Sequence, residues 1–170
     1  MSHQENKLSV KKHGMLMLLG ILIVCLFTAC DPNRVLDDYQ TIPDASWSMK
    51  APLKWSVDIA DTTIPYNFYI NLRHDEAYKY QNLFLFVKTT FPNNKHKVDT
   101  LECLLTDRQD QWLGDVSFNL YDNKILFKRN VLFPLKGKYN FEIQHGMRQD
   151  PLDHIVDLGM RIEKAEVKGK

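Results

Sequence analysis

The chain has 170 residues, 44% of them hydrophobic, and carries 22 Lys and Arg against 21 Asp and Glu. A balance so close to neutral projects no long-range field, which excludes nucleic acid and any purely electrostatic hold on anionic lipid. Three cysteines are too few for a disulfide framework in a domain of this size.

The N-terminus sets Lys7, Lys11 and Lys12 against one acid, Glu5, and every residue from Met15 to Phe27 is apolar or Gly. At about 13 residues that run falls short of the ~20 a helix needs to cross the hydrocarbon core, and it matches the apolar region of a signal peptide. Thr28-Ala29-Cys30 then resembles the lipobox of bacterial lipoproteins, although Phe27 stands where an aliphatic residue is usual. The resemblance implies cleavage before Cys30, a diacylglycerol on its sulfur and an acyl chain on its new amino group. Two or more chains anchor a protein stably where one is marginal. Cys25 follows the β-branched Val24 and suits cleavage less well, and an uncleaved anchor is the competing reading.

With residues 1–29 removed, the basic and acidic totals fall by three lysines and one glutamate to 19 and 20. Cys103, in "TLECLL", is then the one free thiol; it alternates with Leu101 and Leu105 and reads as a small buried hydrophobe. A Cys30–Cys103 disulfide is the alternative should lipidation not occur. The sequence divides into a signal peptide over 1–29, a tether and first edge strand over 30–50, and one domain over 51–170, of ordinary size with a real core.

The predicted elements begin with an edge strand around Val35 to Tyr39, inside a polar, proline-broken stretch. In "YNFYINLR", Tyr66, Phe68, Ile70 and Leu72 share one face and Asn67, Tyr69, Asn71 and Arg73 the other, the period-two pattern of a half-buried strand. "NLFLFVKTTF" is nearly continuous in apolar residues, as a strand covered on both faces would be. "DTLECLL" alternates and "TDRQDQ" is a polar turn. "WLGDVSF" places Trp112, Val116 and Phe118 together, "YDNK" reads as a tight turn, and "ILFKRNVLF" follows as a strand. "KYNFEIQ" groups Tyr139, Phe141 and Ile143. "VDLGMRIEK" sets Val156, Leu158, Met160 and Ile162 opposite Asp157, Gly159, Arg161 and Glu163. Strands recurring roughly every 8 to 15 residues with turn chemistry between them predict an all-β fold: a two-sheet antiparallel β-sandwich, immunoglobulin-like or jelly-roll-like, of about eight strands.

Chemistry is sparse. No serine sits in a G-x-S-x-G elbow, His74, His96, His145 and His154 lack metal-ligand spacing, and the paired acids lie in turn-like stretches that suit local backbone bonding. The expectation is a non-enzyme with no cofactor and no metal. Three constellations stand apart. One holds Arg73, Tyr78, Tyr80 and Asn82, one His145, Met147 and Arg148, and one Asp157 and Arg161 around Gly159. Tyr, Met and Arg suit a docking surface; equally, the arginines can pair with acids to close the sandwich ends while the tyrosines cap the core. Trp112, Tyr66, Tyr69 and Tyr121 raise the alternative of a glycan-binding module.

The same segments, in order from Tyr39 to Lys164 ("YNFYINLRHDEAYKYQNLFLFV", "DTLECLL", "WLG", "NVLFPLKGKYNFEIQHGMR", "DLGMRIEK"), resemble the gliding-motility lipoproteins of the GldH family of Bacteroidota. Gly146, where that family more often has Ala, and the stretch His154 to Gly159 depart from its pattern. The resemblance implies a non-catalytic structural or assembly component of the envelope, linked to gliding and type IX secretion. It implies a membrane partner through the lipid at Cys30, protein partners in that machinery, and no catalytic residues. "CDPNRVLDD" fits poorly the acidic, lysine-containing stretch associated with surface export, which favours the periplasmic face of the outer membrane.

Overall fold

A computed structural model describes residues 31–166; the leader, its cleavage position and Cys30 lie outside the described residues. The described chain forms eleven strands and no α-helix. Eight of the strands run for seven residues or more: β1 Arg34–Thr41, β3 Leu53–Ile59, β4 Tyr66–Asp75, β5 Asn82–Thr90, β6 His96–Leu104, β8 Leu120–Val131, β9 Gly137–His145 and β11 Ile155–Lys164. Three short ones, β2 Ser46–Trp47, β7 Asp115–Ser117 and β10 Leu152–Asp153, trim the ends. A five-stranded antiparallel sheet in the order β1-β11-β4-β8-β7 faces a four-stranded one in the order β3-β9-β5-β6, and β10 pairs with β2. This is the two-sheet sandwich that strand spacing predicts.

Alternation in β4 and β11 builds the first sheet. Their register sets Phe68 opposite Ile162, Ile70 opposite Met160 and Leu72 opposite Leu158, all buried. The facing layer comes from Trp55, Val57 and Ile59 of β3, Leu83, Leu85 and Val87 of β5, and Tyr139, Phe141 and Ile143 of β9. Cys103 is fully buried among them, and burial pushes its thiol up to about 12, which leaves it a small hydrophobe with no thiolate chemistry. Where β6 and β8 meet across the open side of the sandwich, Lys128 closes on Asp99 at 2.5 Å.

Four local expectations are corrected. β5 is covered on one face only: Leu83, Leu85 and Val87 are buried while Phe84 and Phe86 look outward, because its sheet has a single packed side. The continuous apolar run hid a strand of ordinary alternation. "YDNK" is not a turn but the start of β8. The two-residue turn sits earlier, at Phe118-Asn119, between Ser117 and its partner Leu120. Trp112, Val116 and Phe118 therefore do not share a buried face; Val116 and Phe118 are exposed and Trp112 is half-buried. In β11 a bulge between Ile155 and Asp157 turns Ile155 inward in place of Val156.

Both residues of that turn have left-handed backbones, φ 49° at Phe118 and φ 64° at Asn119. Asn accepts this conformation and Phe resists it, since its Cβ crowds the following carbonyl. Phe118 is 99% exposed, so no packing offsets the strain. Phe118→Gly is expected to raise stability by about 0.5–1 kcal/mol; the midpoint of chemical denaturation checks this, and a fall would show that the phenyl ring makes a contact in solution.

Candidate functional site

The outer face of the five-stranded sheet carries a polar belt that follows from the strand registers. One row runs Asp157, Arg73, Asp122, Asp115; the next runs Tyr39, Gly159, Asn71, Lys124; a third runs Asp37, Arg161, Tyr69, Leu126. Side chains in neighbouring rows reach one another. Arg73 Nε donates to Asp122 Oδ2 at 2.8 Å and its Nη1 lies 3.6 Å from Asp157 Oδ2. The Thr41 hydroxyl donates to Asp157 Oδ1 at 2.6 Å. Arg161 donates to Glu163 at 2.7 Å and to Asp37 at 2.9 Å, and Lys124 lies over the Tyr69 ring at 4.2 Å. Pairs this exposed contribute about 0–1 kcal/mol each. They fix side-chain positions more than they stabilise.

Tyr39 organises the belt. Its ring lies flat over the β11 backbone at Gly159, where a Cβ would fall 2.9 Å from Tyr39 Cδ1, and the Arg73 guanidinium stacks on it at 4.6 Å. Burial, followed by the Asp122 carboxylate, pushes the Tyr39 phenol above its ordinary range. Beside it opens a polar recess of about 530 Å³ lined by Asp37, Tyr39, Asn71, Asp115, Lys124 and Arg161 among others. At its rim Gly114, with φ +94°, comes so close to β8 that a Cβ would sit 2.6 Å from the Asp122 carbonyl. Only glycine fits there.

The remaining candidates gather at the end of the sandwich where β4 finishes and β5 begins. The Tyr80 hydroxyl donates to Gln149 Oε1 at 2.9 Å, Asn82 donates to Glu102 at 2.7 Å, and the Phe84 N–H reaches Met147 Sδ at 3.4 Å. Gly146 N–H donates to the Phe84 carbonyl at 2.7 Å. Tyr80, Asn82, Met147 and Arg148 thus share one neighbourhood. Tyr80 and Asn82 line a surface groove of about 740 Å³ with Glu102, Leu104, Arg108 and Leu113, and Arg148 is exposed. Tyr78 and His145 face the core instead. Tyr78 is buried, with its hydroxyl on the Asn82 carbonyl at 3.0 Å.

The two buried histidines hold backbone. His145 Nε2 meets the Trp47 carbonyl at 3.0 Å, and His74 Nδ1 the Asp75 carbonyl at 2.8 Å, so each of those nitrogens carries the proton. The second ring nitrogens, His145 Nδ1 and His74 Nε2, are buried without a hydrogen-bond partner. His145 abuts Trp47 edge-on, with Asp150 3.7 Å away, and His74 sits among Tyr78, Trp112 and Tyr121. Burial pushes both below the usual histidine value, against the smaller opposing pull of neighbouring carbonyls and acids. Among the described residues, no group of three or more His, Cys, Asp and Glu side chains is placed to hold a metal ion.

The aromatic residues that raise a glycan platform do not form one. Trp47 and Trp55 are 2% and 4% exposed, Tyr66 is buried, Trp112 and Tyr121 pack with His74, and Lys124 occupies one face of Tyr69. Sequence reasoning missed Asp37, Tyr39, Asp122 and Lys124. The strand alternation of Asp37 with Tyr39 and of Asp122 with Lys124 was the available signal, but reading "YDNK" as a turn concealed the second pair.

Comparison with known proteins places the chain among lipoproteins. Residues 34–162 match the family model described as GldH lipoprotein. The chain is 36% identical over 157 residues to a protein of Christiangramia forsetii named gliding motility lipoprotein GldH homolog, covering 88% of this chain and 96% of that one. It is 32% identical over 164 residues to the gliding motility lipoprotein GldH of Flavobacterium johnsoniae, covering 92% and 99%. A solved structure of infectious bursal disease virus, Gx strain, aligns at a TM-score of 0.30 and 11% identity, over 81% of this chain and 31% of that one.

Gly159→Ala is expected to destabilise the domain by about 1–3 kcal/mol, because the new methyl group displaces the Tyr39 ring. Adding Tyr39→Ala should recover part of that loss in a double-mutant cycle, and strict additivity would show that the ring is not what the methyl meets. The histidines give a pH signature. The unfolded chain takes up protons below about pH 6.5 while the folded histidines stay neutral, so stability falls as pH drops below that value. Denaturation midpoints at pH 7.5 and 5.5 should differ in that direction, and the difference should shrink in His145→Gln, which keeps a donor for the Trp47 carbonyl.

Proposed function

The chain belongs to the GldH lipoprotein family, and from that membership we propose that it is a lipid-anchored, non-catalytic assembly component of the gliding-motility machinery associated with type IX secretion. The observation that carries the reading is the extent of the match: residues 34–162 run from the first residue of β1 to within two of the end of β11. What the family shares is therefore the sandwich itself and not a fragment of it.

Acylation of Cys30 supplies the attachment, and the protein stands on the periplasmic face of the outer membrane. No helix among the described residues is long and apolar enough to cross a membrane. The domain works by contact. Its belt arginines, Arg73 and Arg161, are engaged by acids of their own sheet, whereas exposed Arg148 and the groove at Tyr80 and Asn82 offer the aromatic, cationic and apolar mixture that interface anchors use.

Photo-activatable residues at Asn82 and Arg148 of the lipidated protein, irradiated in its native envelope, should capture a discrete envelope protein. Irradiation that captures nothing at either position removes the docking role. Mass analysis of the purified native protein should return an acylated N-terminal Cys30, and a chain beginning at Met1 removes the anchor.

A further inference from the structure

The end of the sandwich nearest Cys30 is built unlike its other surfaces. β1 starts at Arg34, and the Asn33 carbonyl already accepts a hydrogen bond from Lys164 N at 2.8 Å. Three residue steps separate Cys30 from Asn33, and even a fully extended chain spans only about 11 Å over them. A domain joined so closely to an acylated residue has no tether to hold it away from the bilayer.

Strand registers identify what lies at that end. Lys164 pairs with Tyr66, and Tyr66 with Val131, so the last residue of β8 and the loop 132–136 leading into β9 lie at the same end of the sheet as the start of β1, with β11 and β4 between them. Loops at sandwich ends ordinarily carry turn-forming polar residues. This one reads Leu132-Phe133-Pro134-Leu135-Lys136, with Leu132 57% and Leu135 37% exposed and Pro134 exposed as well.

The loop is also fixed. Phe133 is driven into the core against Tyr66, Phe68 and Tyr139, with ring centroids 5.1, 5.4 and 4.6 Å apart. The Tyr139 hydroxyl donates to the Leu135 carbonyl at 2.8 Å and accepts its N–H at 3.1 Å. One aromatic wedge and one hydroxyl clamp fix the loop in a set geometry that leaves Leu132 and Leu135 exposed, an apolar exposure at a loop that otherwise calls for polar residues. Lys136, Lys138 and Lys164 are exposed around them, placed to carry their charge at headgroup level. Asp58, Asp61 and Glu166 at the same end offset that charge, so the contact is apolar in character and agrees with the neutral composition. Phe118, the most exposed apolar side chain among the described residues, is at the opposite end of β8, on the order of 35 Å away, beyond the reach of so short a linker.

We propose that this end is a membrane-contact face, in which the loop 132–136 seats Leu132, Pro134 and Leu135 in the lipid leaflet that holds the anchor. The inference rests on the acylation of Cys30 and adds to it an orientation: the sandwich stands upright, with Arg148, Tyr80 and the Phe118 turn directed away from the bilayer.

Nitroxide labels test it in the lipidated full-length mature protein, reconstituted into vesicles of phosphatidylethanolamine with a minor share of phosphatidylglycerol. Labels attached at Leu132→Cys and Leu135→Cys are compared with labels at Ala77→Cys and Phe118→Cys; buried Cys103 takes up no label. The expected result is a several-fold higher ratio of oxygen to nickel-chelate accessibility at positions 132 and 135 than at 77 and 118. Equal ratios at all four positions, in protein whose acylation is verified by mass, overturn the contact face and leave the anchor standing. Unacylated protein overturns both. Concentration-dependent spin broadening at 132 and 135, the mark of a second copy in place of lipid, overturns the contact face as well.

Discussion

The pairing of β4 with β11 is the constraint on which the rest of the molecule depends. Its register puts Phe68, Ile70 and Leu72 against Ile162, Met160 and Leu158 on one side and leaves Asn71, Arg73, Asp157 and Arg161 on the other. A slip of β11 by one residue would exchange its two faces, carrying Asp157 and Arg161 into the core and Leu158, Met160 and Ile162 into water. The register is therefore specified by the cost of every alternative. Both the core and the charged belt are consequences of it.

That constraint was legible in the sequence because it is written as alternation within each strand, and "YNFYINLR" and "DLGMRIEK" show it plainly. What connects strands sideways was not. Tyr39 lies over Gly159, 120 positions away in the chain, and nothing in either local segment announces the other. The same blindness explains β5, whose apolar run does not tell which face the second sheet covers. It also explains β8, where "YDNK" has turn composition but is held in a strand by pairing with β4. Of the nine candidate docking residues, two clusters emerged by lateral pairing: Arg73, Asp157 and Arg161 on one sheet, and Tyr80, Asn82, Met147 and Arg148 at one end. Tyr78 and His145 belong to the core, as period-two counting along β9 would have placed His145.

Charge placement and histidine placement follow one rule at different depths. On the surface, where water screens, opposite charges meet in loose chains that set geometry. In the interior the two histidines remain neutral, each held by a single carbonyl, because burial disfavours their charged form and the second nitrogen of each ring has no hydrogen-bond partner. Unlike an ion-paired group, such a residue gives its support only while uncharged.

β7 spans only Asp115–Ser117 and covers β8 as far as Asp122; beyond it the margin of the five-stranded sheet lies open. Along that margin stand Lys124, Lys128 and Arg129, and breaks in the register with β4 near Tyr66, Phe68 and Tyr69 disturb its regular rhythm. Unpaired strand margins invite neighbouring chains to zip on by backbone hydrogen bonding, and cationic side chains with irregular spacing discourage it. Crowded in two dimensions on a lipid sheet, many copies of such a lipoprotein would remain separate neighbours instead of seeding a fibrous aggregate.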